Sequence, residues 1–154
     1  MRTALLYLLL VGAPVLGVVA ILRVGERITP PAAIGGEWAV DPAAGVDASA
    51  AVRCDGVAER RGVHAAFVSQ SGTMATAALR DASGATWAEG TIALHPDSAL
   101  AEGELTLVGC RSGGVRATLT HDGGAVPRAA TLAIAPLDCA DCAPSRVRLV
   151  RSGR

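Results

Sequence analysis

From Gly35 to the C-terminus the chain is cut at nearly regular intervals by clusters of Gly, Asp, Ser and Pro, and only short extended runs fit between the cuts. The cuts are Gln70-Ser71-Gly72, Asp81-Ala82-Ser83-Gly84, His95-Pro96-Asp97-Ser98, Ser112-Gly113-Gly114 and Asp122-Gly123-Gly124. Each supplies residues that tolerate a positive φ or bond their own backbone, the chemistry of a tight turn. The runs read as strands over 37–40, 63–69, 73–79, 85–94, 104–109, 115–120, 130–134 and 145–150. The run over 85–94 is expected to be interrupted or bulged at Gly90, because an isolated Gly in a strand pattern marks such a site. Residues 41–62, rich in Ala, Gly and Asp, read as irregular. No segment after Leu22 keeps a helical period. The expected fold is all-β: a small antiparallel up-and-down barrel or sandwich of seven or eight strands.

Ahead of this domain, residues 3–22 carry no charge and are almost wholly apolar. Twenty residues of helix reach roughly 30 Å, the thickness of a bilayer core. Residues 1–27 are read as a transmembrane signal anchor with its flanks, 28–35 as a proline-stiffened linker, and 36–154 as the extracytoplasmic β-domain. Val18-Val19-Ala20 also fits a signal-peptide cleavage site, which leaves cleavage as the competing reading. Ala13, Gly17 and Ala20 fall on one face of the helix, a small-residue spacing that permits close helix–helix approach. The basic residues flanking the span are nearly balanced, so they do not orient it. The cysteines do. Cys54, Cys110, Cys139 and Cys142 all follow the span, and a cysteine-dense small domain belongs to an oxidising compartment. The domain is therefore placed in the periplasm or its equivalent.

Four cysteines allow three pairings. Cys139 and Cys142 are close enough to pair locally, which would leave Cys54 with Cys110; a crossed arrangement is equally legal. Covalent haem attachment needs His after the second cysteine, and Ala143 stands there. A reactive dithiol needs a helix N-terminus, whereas Pro136 and Pro144 flank this pair. A four-cysteine zinc site is built from two close pairs, and Cys54 and Cys110 are isolated. Structural disulfides are the reading that remains, and no metal or cofactor is implied.

At Gly36-Glu37-Trp38 the chain resembles the G-x-W element that opens the first strand of lipocalin-like, calycin-type barrels. Val68-Ser69-Gln70-Ser71-Gly72, Gly90-Thr91-Ile92-Ala93-Leu94 and Gly103-Glu104-Leu105 resemble the repeated hairpins of small secreted domains of that kind. So does Cys139-Ala140-Asp141-Cys142 before a final Arg-rich strand, and the likeness covers residues 35–151. It implies a barrel with Trp38 packed across its closed end. It also implies a small apolar ligand held near Trp38 and Trp87.

No catalytic motif is present. His64, His95 and His121 have no partner at metal-ligand spacing, and Ser69, Ser71 and Thr73 flank a turn. There is no nucleophile elbow, phosphate loop or dinucleotide fingerprint. Once residues 1–27 are set aside, eleven Arg face thirteen Asp and Glu, which leaves no footprint for nucleic acid. Arg146, Arg148 and Arg151 form the one basic cluster, with Arg146 and Arg148 on one strand face. They are read either as a solvated edge or as a contact for lipid phosphates or an acidic partner. The chain is thus expected to be no enzyme. Its expected role is an accessory subunit whose helix joins integral-membrane partners of a photosynthetic, respiratory or transport assembly. The alternative is a lipocalin-like binder of a small apolar ligand. The domain's shortness and 3% aromatic content favour the first.

Overall fold

The computed structural model describes residues 2–25, 31–44, 48–96, 98–139 and 141–153, with side chains of the N-terminal helix described over 12–23. Two compact units divide the chain, Met1–Pro30 and Pro31–Arg154. The first contains helix α1, Arg2–Gly25, with Pro14 inside it. Among the described residues no helix is long and apolar enough to cross a membrane. The transmembrane span expected over residues 3–22 is thus not supported by the structure. Residues 13–23, Ala13, Gly17 and Ala20 among them, are all exposed, so exposure marks out no one face of the helix.

The second unit is all β. Its strands are β1 (Gly36–Val40), β2 (Ser49–Cys54), β3 (Val57–Gly62), β4 (Ala65–Ser71), β5 (Met74–Arg80), β6 (Thr86–Leu94), β7 (Leu100–Leu107), β8 (Gly114–His121), β9 (Ala129–Pro136) and β10 (Ser145–Arg151). β4 to β10 form an antiparallel meander, and β1 pairs with both β4 and β10 to close an eight-stranded barrel. The sandwich alternative is thereby excluded. The positions read as strands 63–69, 73–79, 85–94, 115–120, 130–134 and 145–150 each fall on a barrel strand to within two residues. The run over 104–109 belongs to β7, which starts earlier and ends at Leu107.

Residues 41–44 and 48–62, expected to be irregular, are largely regular. They hold a short 3-10 turn, Pro42–Ala44, and the separate hairpin β2–β3. The missed signal is Asp55-Gly56. Both residues take positive φ, 50° and 82°, as a two-residue hairpin turn of the primed type requires. The flanking strands are rich in Ala and Arg, with one valine each, so propensity advertises them weakly.

The barrel interior follows from alternation and from size. Trp38, Val68, Leu79, Ile92, Leu105, Leu119, Leu132, Ile134, Val147 and Leu149 point inward and are buried. Ala66, Ala75, Ala77, Ala88, Ala101, Ala117 and Ala130 stand between them. Small side chains beside two tryptophans let a narrow eight-stranded barrel fill itself. Among the described residues no polar or charged side chain is buried.

Gly90 is regularly paired with Leu105, and the register shift expected there lies instead between Leu79 and Arg80, opposite Trp87. Gly90 and Gly103 act by absence of a side chain. A Cβ on Gly90 would fall 2.9 Å from Leu105 Cα, and one on Gly103 would fall 2.7 Å from Ile92 Cα, with carbonyl oxygens nearer still. The two inward glycines let β6 and β7 bend tightly round the wall. Gly90→Ala or Gly103→Ala is therefore expected to cost about 3 kcal/mol, the scale of an overpacked core site. Chemical denaturation of each variant measures it. A loss no larger than that of Gly153→Ala, where an added Cβ meets open space, would contradict the close approach.

Candidate functional site

The meander puts the two ends of the barrel in different chemical hands. At the entry end lie residues 31–35, where the barrel unit begins, and the connections β4–β5, β6–β7 and β8–β9. At the hairpin end lie β2–β3 and the connections β5–β6, β7–β8 and β9–β10.

Residues 28–30 of the expected linker lie outside the described residues. Residues 31–35 are extended but are no free spacer, because Ile34 is fully buried in the core. This segment crosses the entry end and cannot pair as a strand, so side chains must satisfy its backbone. The Trp38 indole donates to the Ile34 carbonyl at 2.8 Å. The Gln70 amide accepts from Ile34 N at 2.8 Å and donates to the Ala32 carbonyl at 3.0 Å. Arg151 donates to the Ala33 carbonyl at 3.0 Å and to the Gly35 carbonyl. Its guanidinium also lies over the Trp38 ring, 5.8 Å from the centroid. Ala33 N bonds Ala125 O at 2.8 Å. Trp38 therefore sits at a closed barrel end, and Arg151 is committed to holding that end shut.

The hairpin end is closed by β2–β3. Ala50 and Val52 on β2 are buried in the same core, and β2 packs against β8, β9 and β10. Cys54 and Cys110 form a disulfide that ties the hairpin tip to the β7–β8 connection. Beside it Asp55 N donates to the Ser112 carbonyl at 2.9 Å, and Ser112 N donates to the Asp55 carboxylate at 2.8 Å. Arg53 reaches Asp138 on the β9–β10 connection at 3.8 Å. The second disulfide joins Cys139 to Cys142 within that connection. The local pairing is thus the one formed, and the crossed arrangement is excluded. The Glu59 carboxylate lies within 4.8 Å of the Cys54 and Cys110 sulfurs, but the disulfide leaves no thiolate there for a metal.

The remaining sequence candidates do not converge. His64 is exposed at the hairpin end, and His95 pairs with Glu102 at 3.3 Å. His121 Nδ1 accepts from Gly123 N at 3.2 Å, within its own turn. Ser69 and Ser71 lie on β4, and Thr73 is in the turn after it. Asp81 is held below the usual carboxylate range, first by the Ser83 hydroxyl, opposed by desolvation, with backbone N–H groups of the same turn adding to the first effect. That is turn chemistry.

Trp87 is buried like Trp38, yet its indole N–H has no acceptor among the described residues. Of the three clustered arginines, Arg148 pairs with Asp41 at 3.3 Å and Arg151 is the clamp described above. Arg146 stands exposed on the outer face of β10. Three open clefts of about 520, 560 and 530 Å³ lie on the outer surface, and neither tryptophan lines any of them.

No family model matches this chain, and no curated protein or solved structure matches it. The closed eight-stranded antiparallel barrel is compatible with the lipocalin-like resemblance at the level of architecture.

The two disulfides should differ in weight. Cys54 and Cys110 are 56 residues apart, whereas Cys139 and Cys142 are 3 apart. Loop-closure entropy gives about 4 kcal/mol for the long link and about 2 kcal/mol for the short one. Denaturation of Cys54→Ala/Cys110→Ala against Cys139→Ala/Cys142→Ala tests this. Equal losses would contradict the role of the long link in holding the hairpin.

Proposed function

We propose that this protein is an accessory subunit on the outer face of a membrane. Its N-terminal helix joins integral-membrane partners, and its barrel contacts the exposed side of the same assembly. The observation that carries the reading is the closure of the barrel at both ends over an apolar, filled interior. A filled barrel is a rigid module that works through its outer surface. Two further features support it: the uncharged run of residues 3–22 with its small-residue face, and two disulfides suited to an oxidising compartment. A photosynthetic, respiratory or transport assembly would each supply such a partner.

A second reading has one observation in its favour. The buried Trp87 indole, with no acceptor among the described residues, is a donor that the oxygen of a small, mostly apolar ligand could meet, as in a lipocalin-like carrier.

Native mass spectrometry of the unreduced protein, drawn from its own membranes in mild detergent, separates them. The accessory reading expects fixed stoichiometry with integral-membrane proteins and residues 1–22 still present. A free species lacking those residues and holding an apolar adduct would overturn it in favour of the carrier.

A further inference from the structure

The outer face of β8–β10 carries a trough whose floor is set by small side chains. Ala133 and Ala135 point outward on β9, between taller residues on the neighbouring strands. In the register Arg116 stands opposite Ala135, Thr118 opposite Ala133, and Arg146 opposite Ala133 from the other side. Arg116 and Arg146 thus stand on opposite walls, two strand spacings across and two residues along, roughly 12 Å apart. Thr118 on the β8 wall and Thr131 on the β9 floor add hydroxyls. The cleft they line is about 530 Å³, within the size range of small-ligand sites.

Both arginines have charge to offer. Arg116 meets Glu104 only at 3.9 Å, with both side chains about two-thirds exposed, and Glu104 lies on β7, away from the trough. Such a pair contributes little, so exchanging it for a ligand oxyanion costs little. Arg146 is exposed. Arg148, one step along the same face of β10, is occupied by Asp41 and marks where the cationic part of the trough ends.

The chemistry of the trough selects its occupant. β9 is paired on both sides, so a peptide strand finds no backbone edge to join. The walls carry no aromatic ring, so a neutral sugar finds nothing to stack on, and no large aliphatic side chain, so an acyl chain finds no seat. What is offered is two guanidinium forks, which suit carboxylate or another oxyanion, and hydroxyls that both donate and accept. We propose that this trough binds an acidic oligosaccharide, with Arg116 and Arg146 each holding a carboxylate and the threonines bonding sugar hydroxyls. The proposal goes beyond the accessory-subunit reading and does not rest on it.

Titration calorimetry of the full-length chain in mild detergent, with tetragalacturonate as the probe, tests it. The expected result is saturable binding that weakens with added salt. Arg116→Gln or Arg146→Gln should each weaken it about tenfold, the loss of one charge-assisted contact. Arg111→Gln, an exposed arginine on the β7–β8 connection outside the trough, should leave it unchanged. No saturable heat would overturn the proposal. So would equal binding of neutral maltotetraose, an equal loss in Arg111→Gln, or tighter binding of tetraglutamate. The last of these would make the occupant an acidic protein segment.

Discussion

Everything in the β-domain depends on one five-residue strand finding two partners at once. β1 must pair with β4 on one side and with β10 on the other, joining the first strand of the unit to its last. Without it the meander β4–β10 would be an open sheet with two unpaired edges, a template for aggregation. The strand is short, so its pairing alone is a weak device. Its position is secured by Trp38, which plunges into the core from its centre, and by Arg151, which lies over the indole ring. Arg151 also holds the carbonyls of the segment that leads into β1. The barrel unit thus locks its first segment to its last strand with hydrogen bonds to a charged group, which are stronger than neutral ones.

Closure in one direction makes closure in the other necessary. An eight-stranded barrel still has two mouths, and an interior built from Ala, Val and Leu cannot be left wet. The chain fills one mouth with Ile34 under a backbone satisfied by Gln70, Arg151 and Trp38. It fills the other with the β2–β3 hairpin, inserted between the closing strand and the meander and tied down by Cys54–Cys110. Aromatic residues are too few to plug both ends, and a disulfide makes up part of the difference. With both mouths closed, what the barrel leaves open to other molecules is its outer wall and its exposed connections.

The meander was legible because its turns are written in Gly, Asp and Pro, whose backbone preferences act locally. The hairpin β2–β3 was signalled only by Asp55-Gly56, since its Ala- and Arg-rich strands are ordered by packing on the barrel rather than by propensity. The bulge opposite Trp87 leaves no mark in composition, whereas Gly90 looks like a bulge and is a bend. Residues 31–35 read as a spacer because Pro dominates their start, yet the single Ile34 makes them part of the core. The arginines were legible by period two and were grouped too broadly. Arg146 and Arg148 share the outer face of β10, but Arg151 has the parity of Val147 and Leu149 and turns toward Trp38. Spacing allowed the Cys139–Cys142 pair without requiring it, and only the fold, which brings Cys54 beside Cys110, excludes the crossed arrangement.

Native-state hydrogen exchange on the full-length chain tests the closing strand most directly. If β1 is the element on which the barrel depends, the amides of Glu37 to Val40 and those of their partners on β4 and β10 exchange only through global unfolding. They should then share one opening free energy with the centre of the meander. Rapid exchange of β1 while β4–β10 stay protected would show a seven-stranded sheet that stands without its closing strand, and would contradict this account.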